Sequence, residues 1–148
     1  MSTRSWICET LPDRKVRAIT CHHDGYPTGS GVGAMLKKHW TRQQDIDELF
    51  ALGDLRDLGP DIIYDPAKEA AGEKITHAYS TDYPEDADDN EAIVFDSFES
   101  AFAAFRMSAN AFIYLWKDGT WRAWNWLESE ITTHMGLPRE GVLQDGPS

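Results

Sequence analysis

Cysteine is scarce in this chain, with Cys8 and Cys21 as its only two. Two thiols cannot form a disulfide framework, so a reducing compartment, the cytoplasm, is the expected location. Long apolar runs are missing as well. No stretch approaches the ~18 uninterrupted apolar residues of a spanning helix, and residues 1–10 hold no signal-peptide core, so no membrane partner is expected. Basic residues are outnumbered, 14 Lys and Arg against 25 Asp and Glu, for a formal net charge of −11. That balance excludes a general nucleic-acid binder, whose contact face must be positive. The HxH, HExxH, CxxC, GxSxG and P-loop patterns are also absent, so no cofactor and no metal is expected from a motif.

What is present suffices for a core. Six Trp, six Phe and five Tyr in 148 residues, with 41% hydrophobic residues overall, read as one domain spanning 1–148. Residues 136–148, with Pro138, Gly141, Gly146 and Pro147, read as a loose C-terminal tail. The charge is unevenly placed: residues 1–42 carry +4 and the remainder −15. Segments of opposite sign either attract each other within the fold or present two faces to partners.

Val16–Cys21 is rich in β-formers and ends at the turn signals Asp24-Gly25-Tyr26-Pro27. Val32, Met35, Leu36, His39 and Trp40 make a helical stripe, so a helix starts near Thr28 or Ser30. Thr41 and Gln44 have capping-box spacing before Ile46, Leu49 and Phe50, and Gly53 stands at a C-cap position. Asp54–Leu58 reads as a short turn, and Ile62–Tyr64, Ile75–Tyr79 and Ile93–Phe95 as short strands. Asp96 and Glu99 cap a helix carrying Phe98, Phe102 and Phe105 on one face. Ala111–Trp116 and Thr120–Trp126 flank a three-residue loop, Lys117-Asp118-Gly119, and form a hairpin. With Trp116 opposite Thr120, one hairpin face carries Ile113, Leu115, Trp121 and Ala123. The other carries Phe112, Tyr114, Trp116, Arg122, Trp124 and Trp126. Strands and helices do not alternate regularly, which predicts an α+β domain with a mainly antiparallel sheet and about three helices.

Four segments could carry chemistry. His22, His23 and Asp24 follow a strand, where a metal or general-base site would draw a distant ligand such as His39, His77 or Asp82. Adjacent strand residues point to opposite faces, which weakens that reading; a turn with local hydrogen bonds is the plain alternative. Gly29, Ser30 and Gly31 lead into a helix whose free amides could hold a phosphate, or else form a flexible entry loop. Tyr114, Trp124 and Arg122 would make a stacking platform for a nucleotide, a self-associating face, or a second core layer. Asp82, Glu85, Asp86, Asp88, Asp89 and Glu91 form a run without a basic residue, either a solvated loop or a face for a basic partner.

Cys21-His22-His23-Asp24-Gly25-Tyr26-Pro27, the Gly33…Leu36…His39-Trp40 helix, Ala51-Leu52-Gly53-Asp54-Leu55…Leu58-Gly59 and Asp118-Gly119-Thr120-Trp121 together resemble an uncharacterised family of small phage and prophage proteins. The resemblance covers about residues 21–59 and 111–126. It brings no activity and hence no catalytic residue, but it implies phage origin. A small acidic phage protein is then expected to act by binding, against a host antiviral defence. Its partner would be either a basic site on a defence protein, in the manner of an anti-CRISPR or DNA mimic, or a nucleotide signal that it sequesters. The alternative is a small metal- or His-dependent hydrolase or nuclease built on Cys21–Asp24.

Overall fold

The computed structural model describes residues 3–135, so the tail expected at 136–148 lies outside the described residues. The elements follow in the order β1 (Ser5–Thr10), β2 (Val16–Cys21), α1 (Val32–His39), α2 (Gln43–Leu52), β3 (Leu55–Asp57), α3 (Pro66–Ala70), β4 (His77–Ala78), α4 (Tyr79–Asp82), a 3-10 turn (Pro84–Asn90), β5 (Ile93–Phe95), α5 (Phe98–Arg106), β6 (Phe112–Lys117), β7 (Thr120–Asn125) and a last 3-10 turn (Thr132–His134). The seven strands share one sheet in the order β4-β3-β2-β1-β6-β7, with β5 also paired to β2. The β1–β6 and β2–β3 pairings are parallel and the other four antiparallel, so the fold is α+β with a mostly antiparallel sheet. Among the described residues, no helix is long and apolar enough to cross a membrane.

Both faces of the sheet are covered. Ile7, Ile19, Leu55, Tyr114, Trp116 and Trp121 face α1 and α2, meeting Leu36, Trp40, Ile46 and Leu49. On the other face, Trp6, Cys8, Val16, Ile113 and Leu115 meet Ala101 and Phe105 of α5. A strand enclosed this way loses its polar alternation. That is why β1, central in the sheet, escaped the sequence reading: Ser5–Glu9 are all buried. Its Glu9 carboxylate is inside because Arg17 reaches it with Nε at 2.7 Å.

Several expectations are corrected. The Thr41 capping box does not form, because α2 begins at Gln43 with Arg42 at its N-cap and no side-chain cap. Ser97, not Asp96, caps α5, exchanging hydrogen bonds with Ser100. Asp54–Leu58 contains strand β3, whereas Ile62–Tyr64 forms no strand.

The largest correction is the hairpin register. Lys117 pairs with Thr120 and Trp116 with Trp121. The turn is therefore the two-residue Asp118-Gly119, with φ of 53° and 76°, a type I′ geometry. A one-residue slip sends every side chain to the other face. Tyr114 and Trp116 accordingly join Trp121 and Ala123 against α1 and α2, while Ile113 and Leu115 join Arg122 and Trp124 on the α5 face.

Candidate functional site

Strand β2 ends at Cys21, but the backbone continues alongside β3, with the His22 and His23 amides donating to Leu55 O and Arg56 O, each at 3.0 Å. Beyond the strand the strict alternation of faces lapses. The two imidazoles stand as neighbours, ring centroids 4.7 Å apart, contrary to the expectation that they point apart. They nevertheless serve different partners. His22 Nδ1 meets the Tyr79 hydroxyl at 3.0 Å, His23 Nδ1 meets Asp57 Oδ1 at 3.1 Å, and Asp24 pairs with Lys74. Partial burial, helped by the Arg4 charge, holds the His22 imidazole below its ordinary value. The expected set of His22 or His23 with Asp24 is thus not assembled on a common point. Cys21 is fully buried, and burial pushes its thiol up to about 12, so it stays protonated at neutral pH and is no nucleophile.

The segment does, however, face a denser charged cluster. One carboxylate oxygen each from Asp57 in β3 and Glu69 in α3, and a ring nitrogen of His77 in β4, lie within 4.8 Å of one another. Each is oriented from behind. Asp57 is bound by His23 as above, Glu69 Oε1 accepts from the Tyr64 hydroxyl at 2.8 Å, and His77 Nε2 donates to Asp82 Oδ1 at 3.0 Å. The Tyr64 ring also stacks on His77, centroids 4.3 Å apart. That hydrogen bond from His77, with the Arg56 guanidinium behind it, holds the Asp82 carboxyl below its ordinary range. Asp57, Glu69 and Tyr64 are the residues that sequence reasoning missed. Their positions come from three short elements with no fixed spacing, and the usable signal was limited to His77 and Asp82 as distant partners for the strand-end histidines.

The other expected sites dissolve or change. The first amides of α1 are not free, since Val32 N donates to Asp24 O at 2.7 Å and Gly33 N to Tyr26 O at 3.0 Å. With the Gly31 amide also donating to Thr28 O, three of the amides that a phosphate cradle at Gly29, Ser30 and Gly31 would use are already engaged within the chain. Gly31 is there for close packing: a Cβ on it would lie 2.3 Å from Tyr26 O. Gly29 and Ser30 are exposed on the loop. The aromatic platform is overturned by the register. Tyr114 is fully buried, its hydroxyl donating to Gly25 O at 2.6 Å. Arg122 lies on the opposite face over the Trp124 ring and is paired with Glu130. The self-association expected of an exposed Tyr114 and Trp116 face loses its premise, because that face is core.

The acidic run is ordered. Asp86 N donates to Tyr83 O, the Asn90 side chain closes back on Asp86 O, and Asp54 N donates to Asn90 O at 2.7 Å, fastening the turn to the end of α2. Asp82 is drawn inward by Arg56 and His77. Glu85, Asp86, Asp88, Asp89 and Glu91 stay exposed and form no ion pair among the described residues. No family model, curated protein or solved structure matches this chain.

Proposed function

We propose that this is a phage-encoded, non-enzymatic binding protein that counteracts a host antiviral defence by seating Glu85–Glu91 in a basic, nucleic-acid-binding groove of a defence protein. The observation that carries this reading is the unneutralised acidic turn. Four carboxylates on an anchored, exposed 3-10 segment and a fifth, Glu91, directly after it are bracketed by exposed Tyr83, Ile93 and Val94. A charged face with an aromatic and aliphatic anchor at its margins suits a protein partner better than a merely solvated loop does. The +4 segment does not quench it: Arg4, Arg14, Lys15, Lys37 and Lys38 make no ion pair with it among the described residues. The signal-sequestering form has less support, since the first two amides of α1 are occupied and its aromatic platform is divided between two faces.

The test is charge reversal at Asp86, Asp88 and Asp89 in a plaque assay on a host carrying the defence. The triple Asp→Lys variant is expected to keep its circular dichroism spectrum and lose protection, together with the partner that copurifies with the wild type. Full protection from a folded triple variant would eliminate the reading.

A further inference from the structure

The Asp57–Glu69–His77 cluster has an unsolved electrostatic problem. His77 is deeply buried, its side chain only 4% exposed. Its Nε2–H is committed to Asp82, which leaves Nδ1 as the uncommitted ring nitrogen. Among the described residues that nitrogen has no hydrogen-bond partner, and it lies 3.4 Å from Glu69 Oε2, with Asp57 beside it. A buried ring nitrogen without a partner, facing two carboxylates, calls for a positive species between them, a proton or a metal ion. The nearby cations are otherwise engaged, Arg56 with Asp82 and Lys74 with Asp24.

We propose that Asp57, Glu69 and His77 form a binding site for a divalent first-row transition ion, of which zinc and manganese are the representative cases. One imidazole with two carboxylates is a nitrogen–oxygen set suited to such ions. Donor atoms bonded at about 2.0–2.1 Å to a tetrahedral ion stand roughly 3.3 Å apart. The His77 Nδ1 to Glu69 Oε2 separation of 3.4 Å has that value. The second argument is the outer shell. Tyr64 and Asp82 hold Glu69 and His77 by their other polar atoms and His23 holds the Asp57 carboxylate, the arrangement that orients ligands around a metal. Glu69 is 42% exposed, so the ion keeps solvent-facing positions. It would tie β3, α3 and β4 together, and through His77 it would steady Asp82 at the head of the acidic turn.

The experiment is calorimetric titration of chelator-stripped full-length protein with zinc chloride and with manganese chloride, alongside 15N spectra of the histidine rings. One ion per chain is expected, with the His77 Nδ1 resonance shifting on addition. Asp57→Asn and Glu69→Gln, both at partly exposed positions that tolerate substitution, should abolish measurable binding while the circular dichroism is retained. Tyr64→Phe should weaken it about 10–100-fold by freeing Glu69. The proposal is overturned by no heat of binding with either ion, by His77 resonances that zinc leaves unmoved, or by undiminished affinity in the Asp57→Asn/Glu69→Gln double variant. None of these variants alters residues 85–91, so failure here leaves the partner-binding test standing.

Discussion

Burial decides what single residues can do in this protein. Cys21 sits at the head of the most motif-like stretch of the chain, yet its Sγ donates weakly to His23 O and Arg56 O and its ionisation is pushed up to about 12. Cys8, equally buried on the α5 face, is raised further by desolvation alone. Only the thiolate attacks a thiol reagent, so neither residue should react in the native state. With Ellman's reagent at pH 8 the folded protein is expected to release almost no thionitrobenzoate, and to release two equivalents, one per cysteine, once denatured in guanidinium. Rapid native labelling of Cys21 would reopen a nucleophilic role. The histidines teach the complementary lesson. His22 and His23 were conspicuous because they are adjacent in sequence, but His77, isolated in sequence, is the buried one with an unmatched nitrogen.

At the scale of elements, legibility followed periodicity. Helix α1 stood out by its apolar stripe, and strand β2, although buried on both faces, by its run of β-formers ending at a turn signal. Strand β1, buried on both sides and containing Ser5 and Glu9, has no period to read. Strand β3 is three residues long and β4 two, too short for any pattern to emerge. For this reason the cluster formed by Asp57, Glu69 and His77 was invisible: tertiary pairing brings it together. The hairpin was recognisable, but its register turned on one residue in the loop. That turn can be tested in isolation. Gly119 has φ of +76° and a Cβ there would meet nothing within 4 Å. Gly119→Ala therefore removes conformational freedom without any clash, and should destabilise the protein by about 1–2 kcal/mol in urea unfolding. A loss near zero would mean that the loop can adopt another turn without cost, and would undermine the type I′ assignment.

For the whole molecule, a charge of −11 makes pH the natural variable. Lowering pH from neutrality toward the isoelectric point near 4.7 relieves repulsion among the free acids, which favours the compact state. Specific pairs then act in the opposite direction. Asp82, hydrogen-bonded by His77 and Arg56, and Glu130, hydrogen-bonded by Arg122 and Thr132, both have carboxyls held below their ordinary 3.8 and 4.5. A depressed folded value means stability that is present above the unfolded value and is lost as pH falls through the folded one. Asp54 works the other way. Burial raises its carboxyl above 3.8 despite the Thr20 amide, so its contribution is present at low pH and lost as pH rises through its folded value. Urea midpoints measured across the acid range should therefore rise modestly toward pH 5 and fall below about 4. Arg122→Gln, which frees Glu130, should make the acid fall shallower. Asp54→Asn, which removes the opposing gain, should make it steeper. If both variants track the wild type in parallel, the acid limb belongs to net charge alone and these ion pairs do not set it.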